Sequence, residues 1–374
     1  MKIRLYLFAV VVATTVATHP VRHELVNLIN NDPNATWTAS APQDNVFASW
    51  TEDEIRGLFG LTIEPYQTTV LHGSGRPTFN SLYTDADIPK DFDSRKGKNS
   101  GCLKPIRDQA QCGSCWAFGA AETLSDNLCV MGQDAGVLSP QDLISCDLKN
   151  KGCNGGDLID AWAYLANTGI VTDQCLPYTA FNGTRGKCEE HGCEKFKCKA
   201  GKSSSGSTYN FLSEASDIKW AVLNFGSAET GFYVYQDFMS YKSGVYKAST
   251  DKSNMVLGGH AVKIVGWGHD AVAGDYWTVA NSWGTTWGME GYFKIAMDDK
   301  LSGFALGGAF NCGDLSPAPA PTPAPGPSPS SCSDVLPTDK CVQFKDNCAK
   351  AVWMECKQTC GCCKEFGKPS YCTD

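Results

Sequence analysis

The distribution of cysteines is the feature that most constrains this chain of 374 residues. Of its 19 cysteines, eleven lie in residues 87–316 and eight lie in residues 332–374. A short segment so rich in cysteine relies on disulfides instead of an apolar core, whereas the longer segment can bury a core. Because the total is odd, at least one thiol has no intramolecular partner, and we expect it in the longer segment.

The regions outside these two segments predict further boundaries. Residues 1–18 combine Lys2 and Arg4 with an apolar run and small residues, which is the layout of a signal peptide, so we expect a secreted protein or one in a lysosome-like vesicle. Residues 19–86 lack cysteine and are predicted to be a propeptide, although they could instead form a small N-terminal domain that stays attached. Residues 316–331 alternate proline with small residues, which predicts an extended linker between domains 87–315 and 332–374.

Charge and hydropathy exclude two classes of partner. The net charge of -8 and the pI of about 5.3 disfavour nucleic acids and anionic membrane surfaces, since no basic stripe is present. No segment after the signal peptide approaches the roughly 18 apolar residues of a membrane span. We therefore expect no membrane span in the mature protein.

The stretch QCGSCWAF places Cys112 and Cys115 three positions apart. By itself this spacing is compatible with a redox dithiol or with half of a zinc site. The residues that follow, WAFGAAETLSDNL, have apolar side chains at helical spacing and predict a helix that begins near Cys115. Since a helix N-terminus favours an anion, we predict a lowered pKa for the Cys115 thiol and a disulfide for Cys112.

Four motifs in a fixed order resemble the papain family of cysteine proteases. They are QCGSCWAF with Gln109 ahead of it, GCNGG at 152–156, GGHAV at 258–262 and NSWG at 281–284. Within the family, IPKDFDSR and VYQDFMSYKSGVY are most similar to cathepsin B. The resemblance implies an α+β, two-lobed papain-like fold with a helical lobe and a β-barrel-like lobe, followed by the small disulfide-rich domain. The runs HAVKIVGWG, YWTVANSW and YFKIAM predict strands independently.

The resemblance also implies a role for each motif residue. Attack on a peptide carbonyl requires a reactive thiolate, a proton donor and hydrogen-bond donors for the oxyanion. Cys115 would be the nucleophile, His260 the proton donor, and Gln109 would hold the oxyanion together with the backbone N–H of Cys115. Asn281 would orient the imidazole, and Trp283 would shield that hydrogen bond from water. The substrate-binding residues would be Gly155, Gly156, Ala261 and Trp283.

These roles define the expected partners. The chain would cleave protein or peptide substrates without a cofactor or a metal, and its own propeptide would inhibit it until acidic pH allows removal near Ala86 to Pro89. We expect a monomer. The alternative is a catalytically silent binding protein that acts through its C-terminal domain.

Cysteine pairing follows from the resemblance only in part. Family similarity implies that Cys112 pairs with Cys153 and that Cys102 pairs with Cys129. The connectivity of the other six cysteines stays open, and these are Cys146, Cys175, Cys188, Cys193, Cys198 and Cys312.

Two features depart from cathepsin B. Cathepsin B has a pair of histidines in an occluding loop that confers removal of C-terminal dipeptides, but the segment between Cys175 and Phe211 contains only His191. We therefore predict mainly endopeptidase activity. A glycine near Gly307 stands where cathepsin B has the acidic residue of the S2 pocket, which predicts a preference for apolar P2 residues over arginine.

The C-terminal cysteines resemble those of a ShK toxin-like domain. Family connectivity would pair Cys332 with Cys363, Cys341 with Cys356 and Cys348 with Cys360, leaving Cys362 and Cys372 as a further possible bridge. The loop AKAVWME lacks the Lys-Tyr dyad of the channel-blocking toxins. We therefore expect an accessory binding role.

Overall fold

The computed structural model describes residues 21–63, 84–189, 191–199, 209–305 and 308–313. The chain divides into two units, Met1–Ser316 and Pro317–Asp374, and all described residues belong to the first unit. The predicted signal peptide, linker and ShK toxin-like domain therefore lie outside the described residues, and so does Gly307.

Helices form the first part of the large domain. Helix α3, Cys115–Val130, has Cys115 as its first residue, which confirms the predicted helix start, and its side chains are buried from Cys115 to Leu128. A helix that is buried on all sides lies at the centre of a domain. The described helices are α1 His23–Asn31, α2 Glu52–Arg56, α3 Cys115–Val130, α4 Pro140–Cys146, α5 Leu158–Asn167 and α6 Ala215–Phe225.

The second lobe is a mixed β-sheet with the strand order β1-β5-β8-β7-β6-β4-β9-β3, and β2 pairs with β6. Strands β5 and β8 are parallel, and the other pairs are antiparallel. The strands are β1 Trp37–Ala39, β2 Phe92–Asp93, β3 Asn210–Leu212, β4 Ala228–Tyr235, β5 Tyr241–Tyr246, β6 Val256–Asp270, β7 Gly274–Ala280, β8 Tyr292–Ala296 and β9 Ala309–Asn311. The three predicted strands correspond to β6, β7 and β8. The described strands form an open sheet rather than the closed barrel that a barrel-like lobe suggests.

A buried ion cluster joins the two lobes. Lys263 of β6 lies 2.8 Å from Asp126 and 3.4 Å from Glu122, both of which belong to α3. Burial alone would lower the pKa of Lys263, but the two carboxylates raise it well above its ordinary range. Lys263 therefore stays protonated inside the protein, and its contacts with the two carboxyl groups hold α3 against β6.

Residues 21–63 pack on the sheet lobe. Strand β1 extends the sheet along β5, with Trp37 opposite Gly244. Helix α2 is held by a capping box, in which Thr51 accepts from the Glu54 N–H and the Glu54 carboxylate accepts from the Thr51 N–H. The predicted propeptide thus contains α1 and α2, which bury apolar side chains against the rest of the protein.

Five disulfides cross-link the described residues. The two pairs implied by family resemblance, Cys112 with Cys153 and Cys102 with Cys129, are confirmed. The pairs left open are Cys146 with Cys188, Cys175 with Cys193, and Cys198 with Cys312. Within the described part of the chain Cys115 is the free cysteine, as the odd total predicted.

Replacing Lys263 with methionine should destabilise the protein strongly. The substitution leaves Asp126 and Glu122 buried without their cation, which typically costs about 3–5 kcal/mol. Lys247→Met is the matched control, because Lys247 also lies 2.8 Å from a carboxylate, that of Asp298, but both side chains are exposed. The control should cost at most about 1 kcal/mol. Denaturant unfolding of both variants measures the difference, and equal small losses would contradict a role for the cluster.

Candidate active site

Cys115 is fixed by the loop before α3 and by the first turn of the helix. The Ser114 carbonyl accepts hydrogen bonds from the N–H groups of Ala117 and Phe118, which starts the helix at Cys115. The adjacent disulfide from Cys112 to Cys153 anchors the preceding loop. The thiol is therefore held in one place and is fully buried.

His260 and Asn281 lie on neighbouring strands of the sheet lobe. His260 belongs to β6, and Asn281 follows the last residue of β7. Nε2 of His260 lies 2.8 Å from Oδ1 of Asn281, and that oxygen also accepts the Ser282 N–H at 2.8 Å. Since Asn281 holds Nε2, the other ring nitrogen, Nδ1, stays available for a second group, and it has no partner among the described residues.

The backbone of β6 links the imidazole to the thiol. The N–H of Ala261, the residue after His260, donates to the sulfur of Cys115. Cys115 and His260 are thus brought to the same point from two lobes. This arrangement suits a thiol nucleophile with an imidazole as its proton-transfer partner.

Trp283 covers the ring of His260. Its ring centroid lies 4.8 Å from that of His260 with an interplanar angle of 31°, and the residue is buried. Such an apolar cover excludes water, which strengthens the hydrogen bond beneath it. On its other side Trp283 packs against Phe47 and Phe59 of the pro-segment, which we define as residues 21–63.

The Gln109 side chain lies beside the loop that precedes Cys115 and binds two backbone carbonyls. Its Nε2 donates to the carbonyl of Leu58 in the pro-segment at 2.9 Å and to that of Cys112 at 2.8 Å. Its Oε1 accepts from Ser282 Oγ at 2.7 Å, which fixes the orientation of the amide. Sequence reasoning missed Ser282, although the residue stands inside the NSWG motif next to Asn281.

The pro-segment backbone forms hydrogen bonds with the backbone of Gly156 and Gly259. Gly156 donates its N–H to the Gly60 carbonyl at 2.7 Å and accepts from the Thr62 N–H at 3.0 Å. Leu61 donates its N–H to the Gly259 carbonyl at 3.1 Å. The pro-segment therefore pairs through its backbone with Gly156 and Gly259.

Gly155 and Gly60 leave no room for side chains. Gly155 has a φ of +107°, and a Cβ there would lie 2.7 Å from the Gly60 carbonyl oxygen. A Cβ at Gly60 would overlap the Gly113 carbonyl. Glycine is required at both positions because the two backbones approach closely.

Burial opposes the predicted acidity of the thiol. The helix N-terminus was expected to lower the pKa of Cys115, but burial raises it from 9.0 to about 11, although N–H groups of Ala261, Gly60 and Trp116 point at the sulfur. Burial likewise lowers the pKa of His260 from 6.5 to about 4, against the opposing effect of Asn281. The prediction of a low thiol pKa is therefore wrong for this form, because burial outweighs the effect of the helix N-terminus.

Two features are absent from the described residues. They contain no group of three or more His, Cys, Asp or Glu side chains placed to hold a metal ion. None of their helices is long and apolar enough to cross a membrane.

Comparisons with known proteins agree on one family. Residues 88–309 match the papain family of cysteine proteases. The chain is 41% identical over 240 residues to a gut-specific cysteine proteinase of Caenorhabditis elegans, which covers 58% of this chain and 71% of the relative. It is 35% identical over 306 residues to a cathepsin B-like cysteine proteinase of Schistosoma japonicum, covering 74% of this chain and 86% of the relative.

Solved structures of precursors resemble the fold. Procathepsin B S9 from Trypanosoma congolense is 31% identical, has a TM-score of 0.67, and is matched over 79% of this chain and 99% of that one. The proform of the ragweed pollen allergen Amb a 11, also a cysteine protease, is 25% identical with a TM-score of 0.61, over 80% of this chain and 86% of that one.

Alkylation of Cys115 should report on the pro-segment. At neutral pH, iodoacetamide should modify Cys115 at least about tenfold more slowly in the precursor than in the processed enzyme. A buried thiol with a raised pKa is seldom ionised, and the thiolate is the form that reacts. Gly60→Ala should raise the rate in the precursor, since the added methyl displaces the pro-segment from Gly113.

Gly57→Ala is the matched control, because its Cβ would meet the Glu54 carbonyl oxygen at 3.1 Å and lies within the pro-segment alone. This variant should leave the alkylation rate of the precursor unchanged. Equal alkylation rates of the unaltered precursor and the processed enzyme would show that the pro-segment does not control the thiol.

Proposed function

Because this chain belongs to the papain family of cysteine proteases and is a cathepsin B-like cysteine peptidase, we propose that Cys115 and His260 carry its chemistry. The observation that supports this assignment is the meeting of three groups around the pro-segment backbone. They are the thiol at the start of α3, the imidazole held by Asn281 and the amide of Gln109.

The proposed reaction begins once the pro-segment has left. The Cys115 sulfur, as thiolate, attacks the carbonyl carbon of the substrate and forms a bond to it, and the carbonyl oxygen becomes an oxyanion. Gln109 Nε2 and the Cys115 N–H donate to that oxyanion. His260 then gives its proton to the leaving amine as the C–N bond breaks. A water molecule, deprotonated by His260, attacks the thioester, and this step releases the acid product and regenerates the thiol.

Substrate binding would use the positions that the pro-segment occupies. Gly155 and Gly156 offer a backbone edge without side chains, and Ala261 lies beside the nucleophile. The hydrogen bond from Gln109 Nε2 to the Leu58 carbonyl supports a role for this amide in holding a peptide oxygen. The pro-segment is thus proposed to act as an inhibitor that occupies the cleft with its own backbone.

Acidic pH is proposed to favour release of the pro-segment. In the closed precursor the pKa of His260 is lowered to about 4 by burial. An open form with an exposed imidazole binds a proton more readily, so the closed form loses stability as the pH falls from about 6.5 towards 4. Ala86 and Pro89, where removal is proposed, are exposed, and the Pro89 carbonyl is anchored to Trp267 on the enzyme side.

We further propose that the enzyme is monomeric and is secreted or held in a lysosome-like vesicle. Asn34 and Asn182, which lie in glycosylation sequons, are both exposed. The C-terminal module, residues 332–374, is proposed to bind a partner or a substrate.

Hydrolysis of a fluorogenic Phe-Arg amide tests the proposed function. The full-length protein, once its pro-segment has been removed at acidic pH, should hydrolyse this substrate under mild reductant. The activity of the Cys115→Ser variant should be lower by roughly a thousandfold or more. Lack of turnover in the unaltered chain, with the pro-segment shown to be removed, would favour the alternative of a silent binding protein.

The products from a long peptide test the mode of cleavage. We expect internal cleavage, since the described insertion after Cys175 supplies only His191, which is exposed. The product pattern should therefore be the same for a peptide with a free C-terminus and for its amidated control, as judged by mass spectrometry. Release of dipeptides from the free C-terminus alone would contradict endopeptidase activity as the main mode.

A further inference from the structure

A small cavity lies where α3 meets the sheet lobe beneath the catalytic groups. Its volume is about 10 Å³, and its lining includes Glu122 from α3 together with Asn281 and Ser282 after β7. All the residues that line it are buried. A water molecule requires roughly 10–15 Å³ of such space and two or more polar partners.

Two of these residues have a buried polar atom without a partner in the described part of the chain. They are Nδ2 of Asn281, which is a donor, and Oε1 of Glu122, which accepts when the carboxylate is ionised. Asn281 is 1% exposed and Glu122 is 4% exposed. Buried polar groups are nearly always hydrogen-bonded, either to protein or to an ordered water.

We propose that this cavity binds one ordered water that accepts from Asn281 Nδ2 and donates to Glu122 Oε1. Glu122 is then a positioning residue, which acts on His260 through the water and Asn281. The inference rests on the proposed role of Asn281 in orienting the imidazole.

The two ends of the bridge are held firmly. Oδ1 of Asn281 is occupied by His260 and Ser282, which leaves Nδ2 as the free end of the amide. The other oxygen of Glu122 lies 3.4 Å from Lys263, whose position Asp126 fixes at 2.8 Å. A donor chain that ends on a carboxylate polarises the amide, so that Oδ1 holds an imidazolium more strongly.

The electrostatic surroundings of Glu122 come from several elements. Burial raises its pKa, Lys263 opposes that effect, and Asp126 adds to it. The charged and titratable groups that act on Glu122, or on which it acts, are Lys263 of β6, Asp126 of α3, Arg107 before α3, Glu229 of β4 and Tyr292 of β8.

Glu122→Gln is the direct test in the full chain after acid processing. The variant keeps the shape but removes the charge, and its amide must serve both Lys263 and the water. We expect kcat/KM to fall about 5-fold, the loss typical of one hydrogen bond. We also expect the alkaline limb of the pH profile of kcat/KM to move about 0.5 unit lower, because the charged His260 imidazolium is stabilised less by Asn281.

Asp237→Asn is the matched control. Asp237 is also a buried carboxylate and accepts hydrogen bonds from the Tyr246 hydroxyl at 2.6 Å and the Ser249 N–H at 2.8 Å, but it does not line the cavity. The control should leave the alkaline limb in place even if it lowers stability. Equal shifts in the two variants, or no shift in Glu122→Gln, would overturn the proposed bridge.

Asn281→Ala separates this inference from the function on which it rests. If that variant leaves the alkaline limb unmoved, the proposed role of Asn281 fails. If it moves the limb and Glu122→Gln does not, only the water bridge fails. Adding Glu122→Gln to Asn281→Ala should cause no further shift, because the bridge is already broken.

A high-resolution crystal structure of the unaltered processed enzyme provides a test that does not depend on the folding of any variant. We expect an electron-density peak within hydrogen-bond distance of both Asn281 Nδ2 and Glu122 Oε1. A cavity without such a peak would overturn the proposal.

Discussion

The ion pair between Lys263 and Asp126 joins the strand that carries His260 to the helix that carries Cys115. Neither charge can remain in the interior without the other, so α3 and β6 are held in one relative position. Lys263 follows His260 by three residues, and Asp126 lies three turns along the helix from Cys115. The relation between thiol and imidazole thus depends on a contact that neither residue makes itself.

Local patterns in the sequence predicted much of the site. The helix that begins at Cys115 and the strand that contains His260 follow from apolar spacing, and the order of the motifs indicated which side chains would meet. The connection of Cys198 to Cys312, separated by 114 residues, could not be read from spacing, because distance along the chain says nothing about distance in space. Ser282 was missed because its hydrogen bond to Gln109 joins residues of different lobes.

The predicted acidity of Cys115 shows why a local rule can fail. A helix N-terminus favours a thiolate, but desolvation acts on the same atom and dominates when the site is covered. Part of that cover is the pro-segment, whose Gly60 lies against the sulfur and whose Phe59 packs on the ring of His260. The charge state of the pair is therefore a property of the assembled precursor and not of the motif.

The pro-segment also completes the sheet, since β1 is its outermost strand next to β5. If this strand departs with the pro-segment, as proposed, β5 becomes an edge whose backbone N–H and C=O groups are open to pairing with other chains. The exposed side chain of Lys242 on β5 adds a charge there, which is a common protection against association between edges. Maturation of the peptidase would then expose an edge strand that can pair with other chains, at the same moment that it opens the cleft.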